Sequence, residues 1–465
     1  MTSRVPHNRF RTNGSAQGFR TKGSGRGARL VVGLLALMML WHPQAAHAQA
    51  QQLTLEDALA RGLRNSLRLS ELDARREAAA AAEASHAAST RPLIALVGGY
   101  TRTNHVEEFA IAQPGLPRRV VYPDIPDNYR ARVDLQWPIY SGGRADALER
   151  AARAEREATG EDLAAARADL ALEITRAFWA SITAAETEQV VARAVTNMDV
   201  HVRDLQSQLQ QGFIPPNEVL SAETQRSRQR LLAIEARATR SAAHADLRRL
   251  IGLDTPDPIE PVGALGTAGQ VDPATGPDGS SFVRPERRAL EDRAEAAQAR
   301  SAAARAARRP QLGVNAGYDY ARPNPRIFPR NGDWADSWDI SLNGSWTVWD
   351  GGRRRAEEAE ATAAVRAAQA RVGDFNRQVT LEITQRRLDV ESSRAAVATA
   401  ADGVRSAVEA HRVVRERFSV GVATSTDVLD AETALLQAEL DRTRALANVR
   451  IADARLLRAL GAPTR

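Results

Sequence analysis

Trp137-Pro-Ile-Tyr-Ser-Gly142-Gly143-Arg144 and Trp346-Thr-Val-Trp-Asp-Gly351-Gly352-Arg353 are one junction written twice, 346 − 137 = 209 residues apart. Working outward at the same offset, Leu172-Glu-Ile-Thr175 recurs as Leu381-Glu-Ile-Thr384, Gly212 as Gly421, and Gly252 as Gly461. Val219, Leu220, Ala222, Glu223 and Thr224 likewise recur as Val428, Leu429, Ala431, Glu432 and Thr433. Upstream, Arg91-Pro92…Tyr100 pairs with Arg309-Pro310…Tyr318 at 309 − 91 = 218, so one loop of the first copy is 218 − 209 = 9 residues longer. A duplicated unit this long, varying in length only at a loop, points to a repeat architecture rather than to an enzyme with one asymmetric pocket.

On the N-terminal side of each junction the chain alternates at period two. Trp338, Ile340, Leu342, Gly344, Trp346 and Val348 oppose Asp339, Ser341, Asn343, Ser345 and Thr347. Tyr129, Ala131, Val133, Leu135 and Trp137 oppose Arg130, Arg132, Asp134 and Gln136. Leu312–Tyr320 alternates in the same way, and Pro92–Asn104 less cleanly. Apolar-out, polar-in segments of about ten residues with aromatic ends fit transmembrane β-strands, and equally a soluble sheet with one wet face. The strands form two hairpins whose loops, carrying Pro114, Pro117, Pro123 and Pro126 or Pro323, Pro325 and Pro329, suit exposed irregular connections.

On the C-terminal side, 143–211 and 352–420 contain no proline and are dominated by alanine, arginine and glutamate, which predicts two helices of about 105 Å each. Val191, Val195, Met198, Val202, Leu205 and Leu209 mark a heptad seam. Each tract ends on a helix-stopping glycine, Gly212 or Gly421. Return helices are expected over Glu218–Ile251 and Asp427–Leu460, the second opened by a Thr424-x-x-Asp427 capping box. Leu55–Thr90 and Glu218–Ile251 together match one long helix in length, so they can stack end to end beside it.

The formal charge of +6 does not point to nucleic acid. Seven basic residues and no acid lie in 1–48, leaving 6 − 7 = −1 for the rest of the chain. That segment, with apolar Leu30–Trp41 and then Ala46-His47-Ala48, reads as a secretory signal peptide. There is no cysteine, so disulfides, thiolate chemistry and lipidation of an N-terminal cysteine are absent. The eight histidines are scattered without HExxH, so no metal centre, cofactor or catalytic constellation is expected. Neither GxxxxGK[ST] nor GxGxxG is present to make the Gly-Gly pairs a phosphate loop. Pro138, Gly142, Gly143, Gly351 and Gly352 are instead assigned to the strand-to-helix bend, with Pro138 helping to end the first ladder.

Four transmembrane strands cannot close a barrel, and an open edge in lipid leaves backbone groups unpaired, so membrane insertion forces oligomerisation. The paired junctions, the R-P starts of the strands and the tip Val420-Gly421-x5-Asp427-Val428-Leu429-Asp430 resemble the TolC-type outer membrane factor family from about Leu53 to Gly461. The resemblance implies a mostly α chain with membrane β: a homotrimer with a 3 × 4 = 12-stranded outer-membrane barrel, continuous with a twelve-helix periplasmic α-barrel. It divides the chain into a first repeat over 53–252, a linker over 253–283 and a second repeat over 284–461. The implied role is the exit duct of a tripartite efflux pump or a type I secretion system. Its partners would be a periplasmic adaptor, an inner-membrane pump of RND, ABC or MFS type, and outer-membrane lipid. The alternative is a structural coiled-coil envelope protein with a soluble β head.

Asp427 and Asp430 lie three apart on one helical face, where they either favour the helix dipole or, as the resemblance implies, ring a periplasmic aperture with Glu218 in the equivalent place of the first copy. Gly212, Phe213, Ile214, Gly421, Val422 and Ala423 form small apolar tips, expected to dock an adaptor. The resemblance also implies a tyrosine–arginine latch at the tip, but the matching positions hold Phe418 and Ala423. Cargo, whether drug, metal ion or protein, is not encoded in these features.

Overall fold

A computed structural model describes residues 51–253, 259–266 and 283–462. The expected signal peptide over 1–48, and most of the expected linker, lie outside these residues. The long helices form as composition and glycine placement dictate. Helix α3 (Arg144–Gln210) and helix α6 (Arg353–Ser419) each run 67 residues, about 100 Å. Both end at a glycine with φ of 75°, Gly212 or Gly421. There the N–H of Phe213 reaches back to Gln208 and that of Val422 to Arg417, so the last carbonyls are satisfied. Return helices α4 (Pro216–Ile251) and α7 (Ser425–Leu460) follow, 36 residues each.

The predicted single helix over Leu55–Thr90 is two helices, α1 (Leu55–Asn65) and α2 (Leu67–Ala88). Ser66 breaks it: its extended backbone ends α1 while its hydroxyl accepts the Leu69 N–H and caps α2. Asn65 at this break donates to the Ile251 carbonyl, which aligns the α1–α2 pair with α4 along the flank of α3. Helix α5 (Pro285–Ala306) lies between the first halves of α3 and α6, and α7 lies between their second halves.

Four strands, β2 (Leu93–Arg102), β5 (Asp127–Tyr140), β7 (Gln311–Arg322) and β8 (Ala335–Ser345), form one antiparallel sheet in the order β2-β5-β7-β8. The two hairpins are joined because β5 pairs with β7 as well as with β2. Three expectations are corrected here. The first loop is not wholly irregular, since β3 (Phe109–Ile111) and β4 (Arg119–Tyr122) form a ribbon within it. Pro138 does not end β5: the ladder with β2 stops at Gln136, but that with β7 continues to Tyr140 across a register shift beside Pro138. The missing N–H of Pro138 therefore falls where one neighbour is already gone. Trp346, Thr347 and Val348, placed in the fourth strand by alternation, follow β8 instead.

Strand β1 (Gln51–Leu53) pairs with β6 (Ile259–Pro261), and the Val262 N–H donates to Leu53. This strap covers the largest core cluster, where Leu163, Leu170, Ile174, Phe178, Trp179 and Ile182 of α3 meet Leu247 and Ile251 of α4. Arg450 stacks over Trp179 at 4.6 Å and donates to the Ala264 carbonyl, clamping the strap onto α3. Burial is unequal between the copies. Helix α3 is flanked by α1, α2, α4, α5 and α7, whereas α6 meets chiefly α5 and α7 and has one fully buried side chain, Val390.

Candidate functional site: sheet, junction and helical tip

The sheet register sorts its side chains into two faces. Tyr100, Tyr129, Val133, Tyr318, Trp338, Ile340 and Leu342 share one face by direct pairing. That face is open, with Trp338 70%, Ile340 68% and Leu342 68% exposed. The opposite face is charged and internally paired. Asp319, 3% exposed, accepts from Arg130 at 2.6 Å and from Arg132. Arg132 also reaches Asp134 at 2.5 Å and Asp339 at 3.2 Å, and Arg326 reaches Asp339 at 2.9 Å. Alternation placed these residues on the polar face; the Arg–Asp pairing required register between segments 319 − 132 = 187 positions apart. Inward-facing arginines in a β pattern were the one available signal.

At the junctions Gly142, Gly143, Gly351 and Gly352 all have positive φ, between 67° and 93°. The chain turns from strand into helix with no side-chain cap at Gly143 or Gly352. In the first copy Ser141 accepts from Ala145, and Arg309 donates to the Gly142 carbonyl. In the second copy Asp350 accepts the Gly352 N–H and binds Arg354 at 2.6 Å, and Trp346 donates to the Arg308 carbonyl. The two bends are not equally crowded. A Cβ on Gly142 would lie 2.8 Å from Arg309 Cβ and 3.0 Å from the Ala306 carbonyl oxygen, whereas one on Gly352 meets nothing within 4 Å. Gly142→Ala is expected to destabilise by about 1–3 kcal/mol in backbone strain alone, with the clash added. Gly352→Ala carries the strain only, so thermal melting should rank wild type above Gly352→Ala above Gly142→Ala.

At the other end of the helices both turns close over one cluster. Met198, Val202 and Leu205 of α3 pack with Val219 and Ala222 of α4 and Leu429 of α7, and Leu209, Ile214 and Phe418 lean on them. Phe418 meets the His201 ring edge-on at 5.7 Å, and His201 Nε2 lies 3.3 Å from the Ser425 hydroxyl. Burial pushes the His201 imidazole pKa down, keeping it neutral within this packing. At the positions matching the implied latch, this chain thus puts Phe418 into an apolar contact. Beyond the cluster, Phe213 (74% exposed), Val420 and Val422 project outward, and Ile214 and Ala423 are half-buried.

The acidic positions separate. Asp427 is the N3 residue of the expected capping box, accepting the Thr424 N–H and hydroxyl at 2.8 Å each. The Thr424 backbone bond, then its hydroxyl, hold this carboxyl below the usual aspartate range. Asp430 is exposed one turn later, and Glu218 is half-buried at the start of α4, whose N-cap Pro215 makes no side-chain capping bond. The dipole reading of Asp427 is therefore satisfied locally; a carboxylate kept ionised at a helix start remains available to a passing cation.

The chain thus joins a sheet apolar on one face and charged on the other, through glycine bends, to helices about 100 Å long. The chain belongs to the outer membrane efflux protein family, whose model matches residues 44–253 and 283–462. No curated protein sequence matches it. Among solved structures it is similar to CusC, with 16% identity and a TM-score of 0.77, over 88% of this chain and 92% of that one. It is also similar to the outer membrane protein VceC of Vibrio cholerae, with 20% identity, a TM-score of 0.72, and 88% and 96% coverage. The open-state MtrE outer membrane channel of Neisseria gonorrhoeae gives 18% identity, a TM-score of 0.73, and 88% and 89% coverage. At these identities the likeness establishes the fold.

Proposed function

We propose that three copies of this chain form an outer-membrane exit duct that receives cargo from a periplasmic adaptor and an inner-membrane pump and passes it outside. The observation that carries the reading is the open-edged sheet with its bare apolar face. Strands β2 and β8 each have one partner, so both outer edges carry unpaired backbone groups. Lipid against the Trp338–Leu342 face forbids such edges unless β8 of one copy pairs with β2 of the next. Three copies close 3 × 4 = 12 strands, enough to leave a passage where eight would fill their own interior. The sparsely covered flank of α6 is the matching helical surface for a neighbour. Among the described residues no helix is long and apolar enough to cross a membrane, so in this reading the sheet does the crossing.

In this assembly Asp427 and Asp430, repeated by symmetry with Glu218 nearby, ring the periplasmic aperture and select for cations. Asp427→Ala with Asp430→Ala is expected to shift the single-channel reversal potential in a salt gradient towards zero; an unchanged potential defeats the ring. Because the Asp427 carboxyl sits below the ordinary aspartate range, its contribution to selectivity should persist on acidification past the point where an unperturbed aspartate protonates. Phe213 and Val422 are the adaptor contacts. Cysteines placed there should crosslink to the adaptor in intact cells, and a survey recovering no such adduct removes the docking role. Detergent-solubilised protein that runs as a monomer and never conducts would overturn the duct itself.

A further inference from the structure

The sequence repeat breaks at one buried site. Glu223 and Glu432 are equivalent, yet Glu223 is satisfied, accepting from Gln206 at 2.9 Å, while Glu432 is not. The first-copy equivalent of His411 is Val202, since 411 − 209 = 202, and that of Gln229 is Ala438, since 229 + 209 = 438. His411 of α6, Glu432 of α7 and Gln229 of α4 line one cleft of about 390 Å³, together with Asn197 of α3. Gln229 is 1% exposed and Glu432 8% exposed. Among the described residues, Gln229 Oε1, Glu432 Oε2 and His411 Nε2 each lack a hydrogen-bond partner, and His411 Nε2 stands 3.7 Å from Glu432 Oε1, beyond bonding range.

Three unsatisfied buried groups on one cleft are unfavourable unless a ligand enters. Gln229 Oε1 and a Glu432 carboxylate oxygen accept, and so does His411 Nε2 in its Nδ1–H tautomer, so a cation or a proton donor satisfies all three. We propose that this cleft binds a divalent transition cation of the zinc type, through the His411 imidazole, the Glu432 carboxylate and the Gln229 amide oxygen, with water completing the shell. An imidazole beside a carboxylate suits zinc-like ions, whereas calcium and magnesium take oxygen alone. The charges facing the site are Arg415 of α6, which acts on both groups, and Arg193 of α3 with Glu439 of α7, which lie 3.8 Å apart on the cleft wall. Among the described residues no cluster of three His, Cys, Asp or Glu side chains forms a metal site, and in this proposal the Gln229 amide, which lines the same cleft, serves as the third protein ligand. Because the ligands come from α4, α6 and α7, the ion ties the second helical hairpin to the first on the periplasmic side.

The test is zinc titration calorimetry on the mature protein in detergent, without a polyhistidine tag, with cobalt as a spectroscopic second probe. One zinc per chain is expected, with affinity falling at least about tenfold in both His411→Gln and Glu432→Gln. Visible cobalt bands that zinc displaces should appear in the wild type. Binding should weaken on acidification, because both ligands must lose protons. Undiminished binding in both variants, or a wild type that takes up no zinc and gives no cobalt bands, overturns the site. The cobalt spectrum needs only the wild type, so it decides even if a variant fails to fold. Metal uptake is read without channel activity, so this proposal and the duct reading fail separately.

Discussion

Arg458→Ala should destabilise the helical body by about 1.5–3 kcal/mol, the loss expected when charge-assisted hydrogen bonds of a buried guanidinium are removed. Arg458 is 5% exposed in the last turn of α7, where the helix dipole already favours a cation. Its guanidinium donates to Asp169 of α3 at 2.9 Å and to Glu286 of α5. Glu286 also accepts from Arg284 at 2.9 Å, and Arg284 reaches Glu382 of α6 at 2.6 Å while stacked over Phe375. One network thus ties four helices where α5 and α7 meet end to end. Removing Arg458 takes one of two arginine partners from the part-buried Glu286 and the partner of Asp169, a greater loss than breaking an exposed pair such as Arg75–Glu71 at about 0.3–0.5 kcal/mol.

The network also sets an acid limit. Burial pushes the Glu286 carboxyl up, but bonds from Arg284 and Arg458 more than reverse this and bring its pKa to about 2 from 4.5. A depressed carboxyl contributes stability that is complete above its unfolded pKa and lost as pH falls through the folded one. Melting followed by far-UV circular dichroism should therefore decline between pH 4.5 and about 2 in the wild type. In Arg458→Ala that decline should be shallower, and a mutant that melts with the wild type at every pH would refute the network.

Ile340→Arg should cost about 2–4 kcal/mol of assembly stability, while Ser341→Arg one residue away should be tolerated. Ile340 sits mid-strand between Trp338 and Leu342 on the open apolar face, opposite Ala316. Ser341 points to the face that carries Asp319 and Arg132, where another charge meets water and other charges. In heat-modifiability and membrane-fractionation assays the first variant should be depleted as assembled protein. The second should assemble and alter conductance instead. Equal tolerance of both would remove lipid from the apolar face, and with it the need for neighbouring copies to close a barrel.

Much of this organisation was legible before any coordinates. The proline-free tracts, the stopping glycines and the Thr424–Asp427 box are local signals, and local hydrogen bonding realises them. Alternation at 129–137 and 312–320 identified sheet faces because period two is a property of the strand alone. What escaped the sequence was non-local or brief. Strands β1, β3, β4 and β6 are three or four residues long, too short for a period to register. The break at Ser66 rests on one hydroxyl, and the β5 ladder passed Pro138 because only one side of it still needed an N–H.

The amino-acid order by itself determined that there are two copies of a strand–bend–helix–turn–helix unit, where the two long helices stop, and which strand face is apolar. Tertiary structure alone decided what the copies do differently. Two helices of equal length, α3 and α6, became a covered spine and a bare flank, and two equivalent glutamates became one satisfied and one stranded. The reason is that burial and ion pairing depend on groups hundreds of positions apart. Periodicity reports which face a residue takes, but only packing reports what stands opposite it.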